Sequence, residues 1–180
     1  MKRLILLRHA KSSWDDPVTR DYDRPLNAKG KRAAETMGEH MRGEGLEFDA
    51  VIASPAVRVA ETLEWFGKGY GERIEPEWDR RAYLASDRTL LEVVQEADDA
   101  IESLMLAGHN SGIEDLLLFL VPDKKGDKLR AAAEEKYPTG TLAEMTFEVE
   151  HWADIAAASG KLARFVRPRD LAEDLGPDPV

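Results

Sequence analysis

Three observations predict an α/β fold, a three-layer sandwich whose mostly parallel central sheet carries helices on both faces. Short, continuous apolar runs recur along the 180-residue chain, and stretches of helical period separate them. Near the C-terminus two runs follow each other with no long helix between, which predicts antiparallel edge strands in a chain of ordinary domain length.

The first run, Leu4 to Leu7, has the unbroken apolar character of a strand buried on both faces. Ala28 to Gly43 follows with helical period, placing Ala33, Ala34, Met37 and Met41 on one side, and Gly43 and Gly45 stand where a helix stops. Phe48 to Ala53 is the second run, closed by Ser54-Pro55. Pro55 fits a first helical position with Ser54 as cap, and the helix continues through Val59, Leu63 and Phe66. A weak strand is expected near Arg73 to Glu75, then a helix through Leu90, Leu91, Val94 and Ala97. Leu104 to Ala107 is the third good strand, and Gly108-His109-Asn110-Ser111 leads into an apolar helix, Ile113 to Val121. Lys124 to Pro138 reads as a charged excursion. Thr141 to Glu150 alternates, and with Leu162 to Val166 it forms the expected antiparallel pair. Residues 1–168 are expected to make one domain, and 169–180, rich in Pro, Asp and Gly, a loose tail.

Apolar residues make up 43% and charged residues 33%, a globular composition and not a disordered one. The absence of cysteine removes disulfides, thiolate nucleophiles and Cys-based metal sites. A net charge of −10, from 35 acids against 25 bases, argues against a nucleic-acid partner, which rewards clustered Lys and Arg. Four apolar residues after Arg3 are too few for a signal peptide, and nothing approaches a membrane span. The expectation is a cytoplasmic protein with no membrane partner.

Ligands of open α/β sheets bind beyond the carboxyl ends of the strands. Three predicted strands end in polar residues: Arg8-His9, Ser54 with Arg58 four residues on, and His109. Two arginines and two histidines thus converge on one crevice. Guanidinium forks match phosphate oxygens, a neutral histidine in line with phosphorus is a competent nucleophile, and a second histidine can donate to the developing oxyanion. The bland reading of each residue taken singly is a solvated surface or a local cap; their coincidence at three strand ends favours phosphoryl chemistry.

Leu7-Arg8-His9-Ala10, Ser54 through Thr62 and Gly108-His109-Asn110 resemble the signature blocks of the histidine phosphatase superfamily, phosphoglycerate-mutase-like in fold. Arg8 through Trp14, Asp23-Arg24-Pro25-Leu26-Asn27, Lys29-Gly30 and Pro138-Thr139-Gly140 resemble the small phosphohistidine phosphatases of the SixA type. The resemblance implies a double displacement in which His9 takes the phosphoryl group and water then releases it. Arg8, Arg58 and His109 would hold the transferring oxygens, with Arg24 and Ser54 as further substrate contacts and no metal or organic cofactor. Trp14 is the tryptophan placed to line the rim.

Two departures from the family pattern matter. Ala10 stands where most of the superfamily has glycine, as it does in many small phosphohistidine phosphatases. The segment Glu75 to Tyr83, where relatives carry a carboxylic general acid, offers only Asp79 and Glu77 as candidates. An alkoxide leaving group needs a proton, whereas imidazole, with a reference pKa near 6.5, leaves readily. The expected substrate is therefore a protein-borne phosphohistidine. The alternatives are a small phosphoester, such as a sugar or nucleotide phosphate, and a catalytically idle phosphate-binding module.

Overall fold

The computed structural model describes residues 1–17 and 19–177. Its six-stranded sheet comprises β1 (Lys2–Arg8), β2 (Ala50–Ala53), β3 (Glu77–Trp78), β4 (Ser103–Gly108), β5 (Leu142–Phe147) and β6 (Gly160–Val166), in the order β3-β2-β4-β1-β5-β6. The first four in that order are parallel, and β5 and β6 add antiparallel to the β1 edge. The fold is α/β and mixed at one edge, as the C-terminal runs predicted.

Alternation along β1 builds both layers of core. Leu4 and Leu6 face α3 (Asp87–Gln95) and α4 (Gly112–Leu120) in a cluster with Leu90, Val94, Ile113 and Leu117. Ile5 and Leu7 face α1 (Ala28–Gly43) and α2 (Val57–Tyr70), with Met37, Met41, Leu63 and Phe66. Each such fully buried side chain contributes about 1.5–3 kcal/mol, which secures the strands and so the residues at their ends.

Four expectations are corrected. Ser54 does not cap a helix starting at Pro55: α2 begins at Val57 with Ala56 before it and no side-chain cap, because the first helical N–H groups, those of Val59 and Ala60, return to the Ala56 carbonyl. The strand expected near Arg73 to Glu75 lies instead at Glu77–Trp78. Pro76 lacks the N–H that a ladder needs, and pairing with β2 starts just after it. The charged excursion contains α5 (Lys128–Glu135), capped by Asp127, whose carboxylate accepts from the Arg130 N–H at 3.0 Å. Only Arg130 and Ala133 are buried along α5, too narrow a stripe to give a helical period. Residues 169–177, expected to be loose, continue α6 (Pro168–Leu171) and form a 3-10 turn at Glu173–Leu175, both packed on α1, with Leu175 buried. Residues 178–180 of the expected tail lie outside the described residues.

No helix among the described residues is long and apolar enough to cross a membrane.

Candidate active site

β4 lies between β1 and β2, and the registers Arg8↔Gly108 and Ala53↔Ala107 bring three strand ends level. The His9 N–H donates to the Gly108 carbonyl and the Ser54 N–H to the Ala107 carbonyl, both at 3.0 Å. His9 and His109, far apart in sequence, consequently stand with ring centroids 5.4 Å apart. This juxtaposition is a product of strand order.

His9 is buried, and its Nδ1 lies 2.7 Å from the Ala10 carbonyl. A carbonyl only accepts, so the ring proton sits on Nδ1 and the lone pair on Nε2. Burial pushes the His9 pKa down to about 3, with His109, Arg8 and Arg58 adding to the effect against the Ala10 hydrogen bond. At neutral pH His9 is thus an uncharged base with Nε2 unprotonated. Burial, then Arg58, lowers His109 to about 4, with Asp21 opposing. The Ser54 hydroxyl, itself fully buried, bonds His109 Nε2 at 2.7 Å and accepts from the Ala56 N–H at 3.3 Å. When the hydroxyl proton lies towards Nε2, the ring proton is on His109 Nδ1, a buried atom with no other partner.

The loop carrying His9 is held from three sides. The Ala10 N–H donates to Thr62 Oγ1 at 2.9 Å, and the Thr62 hydroxyl donates to the Arg58 carbonyl at 2.6 Å. The Gly140 N–H is shared between the Arg8 and His9 carbonyls, at 3.1 and 2.9 Å. Gly140 has φ +76°, a left-handed conformation that favours glycine. At Gly30 a Cβ would come within 2.1 Å of the Lys11 carbonyl oxygen, so glycine there lets α1 lie against the loop after His9.

Three guanidiniums surround the histidines. Arg8 donates from Nη1 to the Tyr137 carbonyl at 2.8 Å, and burial lowers its pKa against the opposing charge of Glu114. Arg58, 2% exposed, donates from Nη1 to the Asp21 carbonyl at 2.7 Å and from Nη2 to Asp21 Oδ2 at 3.0 Å. Arg24 donates from Nε to Asp21 Oδ1 at 3.2 Å and from Nη1 to Ser12 Oγ at 2.6 Å, while the exposed Trp14 ring stacks 3.4 Å from its guanidinium carbon. Asp21 therefore joins two arginines, and its carboxylate also accepts the Tyr83 hydroxyl proton at 2.5 Å. Burial alone would raise the Asp21 pKa, but Tyr83, Arg58 and Arg24 together hold it at about 2. The Tyr83 ring meets His109 edge-on at 5.4 Å.

Among the described residues, five buried side-chain polar atoms have no hydrogen-bond partner, and Arg8 Nε, Arg58 Nε and His109 Nδ1 are three of them. Leaving a buried donor unpaired costs about 1–3 kcal/mol. A cluster of such donors around a neutral imidazole suits a bound oxyanion. Among the described residues no group of three or more His, Cys, Asp or Glu side chains is arranged to hold a metal ion.

The candidate general acids are placed differently. Asp79 caps the 3-10 turn Arg80–Ala82, accepting from the Arg81 N–H and Nη2, both at 2.9 Å, and Arg81 in turn holds Glu96 at 2.7 Å. The Arg81 hydrogen bond lowers the Asp79 pKa, the wrong direction for an acid at neutral pH. Glu77 is exposed on the edge strand β3. The sequence reading gave no site role to Asp21, Thr62, Tyr83, Glu114 or Tyr137. For Asp21 a signal was present, since three arginines in one buried crevice require a counter-charge and Asp21 lies three residues before Arg24.

A parallel sheet whose strand ends gather two neutral histidines and three arginines defines a class, the phosphoryl-transfer pocket built from side chains. The chain belongs to the histidine phosphatase superfamily and is a phosphatase of the kind that uses a histidine nucleophile. The model of that superfamily's branch 1 matches residues 4–84. An uncharacterized protein of Mycobacterium tuberculosis is 32% identical over 166 residues, covering 91% of this chain and all of the relative. Among solved structures, a protein of Agrobacterium tumefaciens assigned as the phosphohistidine phosphatase SixA is 28% identical with a TM-score of 0.76, covering 93% of this chain and 98% of its own. One of Nakamurella multipartitia with the same assignment is 25% identical with a TM-score of 0.80, covering 93% and 96%. The chain is of the SixA type within the superfamily.

Proposed function

We propose that this protein is a phosphohistidine phosphatase that works through a covalent phospho-His9 intermediate. The observation that carries this reading is the His9 ring: its proton is held on Nδ1 by the Ala10 carbonyl, so Nε2 offers a lone pair at neutral pH. In the first step Nε2 of His9 attacks phosphorus, the P–N bond to the substrate imidazole breaks, and that nitrogen takes a proton from water. In the second step water attacks phospho-His9, the P–Nε2 bond breaks, phosphate leaves with the oxygen and one proton of that water, and the other proton neutralises the hydroxide left by the first step, so His9 returns to its neutral form. Arg8 Nε, Arg58 Nε and His109 Nδ1 donate to the phosphoryl oxygens in both steps, and Arg24 and Ser54 act through Asp21 and His109 respectively. All of these groups lie within residues 1–168, which we take as one catalytic domain.

The substrate class follows from the leaving group. Asp79 is bound to Arg81 with a lowered pKa, which suits a reaction that needs no strong acid, and imidazole departs more easily than an alkoxide. The two SixA-assigned neighbours support the same class. A second reading, a phosphatase of small phosphoesters, is favoured by one feature: burial and Asp115 raise the Glu114 pKa beside Arg8, as for a general acid.

The test is phosphate release from a phosphohistidine-bearing protein by wild type and His9→Ala. Release by wild type, absent in the variant, with an acid-labile phosphoryl group trapped on wild type, is the expected result. Turnover of alkyl phosphoesters only, abolished by Glu114→Gln, would replace this reading with the second.

A further inference from the structure

Beside the site, sharing Arg8 with it, opens a groove of about 290 Å³. Arg8, Lys11, Lys29, Lys136, Arg167 and Arg169 line it, and none of its lining residues is Asp or Glu. Six cations gather here in a chain that carries ten more acids than bases. They come from separate parts of the fold: the loop after His9, the start of α1, the end of α5 and the α6 region. Part of this charge is met inside the protein, since Arg167 Nη2 bonds Asp170 at 3.0 Å and Lys11 and Lys29 also have partners there. Lys136 and Arg169 are exposed.

We propose that this groove docks a short acidic segment of a phosphoprotein next to its phosphohistidine; the proposal rests on the phosphoprotein reading above. Arg8 links the two places, because it lines the groove while its Nη1 bonds the Tyr137 carbonyl and its unpartnered Nε belongs to the buried cluster. A carboxylate in the groove is thereby delivered alongside a phosphoryl group at His9. The type of cation selects the occupant. A small anion is best held by buried guanidinium forks in fixed geometry, whereas lysines on flexible stems suit a row of carboxylates whose spacing is not fixed. Salt screens charges beyond about 8 Å at physiological ionic strength, so the local sign of the groove outweighs the net acidity of the rest of the surface.

The experiment compares two phosphohistidine peptides, one flanked by glutamates and one by glutamines, and free phosphohistidine, with wild type and the Lys136→Glu, Arg169→Glu double variant. Wild type should show the lower KM for the glutamate peptide, with a preference that shrinks as salt rises from about 50 to about 300 mM. The double variant should raise that KM about five- to tenfold, leave kcat and free-phosphohistidine turnover unchanged, and a control reversal of the exposed Arg73 should do nothing. Equal KM for the two peptides in wild type would overturn the docking proposal while leaving the phosphatase reading intact. So would a preference for a small substrate carrying a second phosphate, which would assign the groove to that anion. Failure to turn over any phosphohistidine compound would instead sink the phosphohistidine reading. In that case binding of the unphosphorylated glutamate peptide, lost in the double variant, decides the groove by itself: its presence supports docking, its absence overturns it.

Discussion

The two ends of the same sheet each hold a histidine beside charged groups, and they use it in opposite ways. At the carboxyl ends His9 and His109 are buried among arginines, and burial lowers both pKa values, to about 3 and about 4. At the other end His151 is exposed, its Nδ1 bonds Asp99 Oδ2 at 2.9 Å, and that hydrogen bond raises its pKa. Asp99 also accepts from the Trp152 N–H at 2.9 Å, and Lys2 Nζ donates to the Asp99 and Ile101 carbonyls. A carboxylate partner in water favours the imidazolium and ties a loop down. Burial beside guanidiniums favours the neutral ring and leaves a nitrogen lone pair free at neutral pH.

Removing the charge that makes the carboxyl end what it is should have the largest effect. Arg58→Ala takes away a buried donor and the partner of Asp21, and kcat/KM on phosphohistidine is expected to fall about 10²- to 10³-fold. Next comes the counter-charge itself. Asp21→Asn keeps the shape but weakens its hold on Arg58, Arg24 and Tyr83, so kcat/KM should fall about 10- to 100-fold, carried mainly by kcat. Unchanged kinetics in the Asp21→Asn variant would show that the arginines need no such anchor.

The pH dependence of stability separates the two ends with a smaller signal. For His9 and His109 the folded pKa lies below the unfolded value of 6.5, so the unfolded chain binds more protons and stability falls as pH drops below 6.5, towards 3 for His9 and 4 for His109. At pH 5 each costs about 2 kcal/mol relative to pH 7 and above. His9→Ala should therefore lose several degrees less in Tm between pH 7 and pH 5 than wild type does. His151 has the opposite sign: its raised folded pKa adds stability below 6.5 that is lost as pH rises through the folded value. His151→Ala should lower Tm more at pH 6 than at pH 9 while activity stays within about twofold of wild type. A steeper acid loss in His9→Ala than in wild type would break the contrast.

Much of the site was legible in residues because its chemistry sits at strand ends. Arg8, His9, Ser54, Arg58 and His109 each follow an apolar run, and burial of such runs is a local property that periodicity records. Asp21 was not legible in the same way, because it lies in a polar loop and acquires its role from Arg58 and Tyr83, which are distant in sequence. Tyr137 was hidden inside a stretch whose charges dominate, although its hydroxyl reaches the Leu6 carbonyl at 2.7 Å and its own carbonyl holds Arg8. Lys124 to Pro138 read only as a charged excursion since α5 buries too little to show a period.

By itself the sequence determined which segments are buried, that helices alternate with strands, and which reactive residue types stand at the strand ends. Those properties depend on side-chain polarity and spacing within one segment. The insertion of β4 between β1 and β2 was decided only by tertiary packing, and with it the meeting of His9 and His109. The protonation state of the two rings was decided there too, because desolvation and the fields of Arg8 and Arg58 exist only once the chain has closed around them.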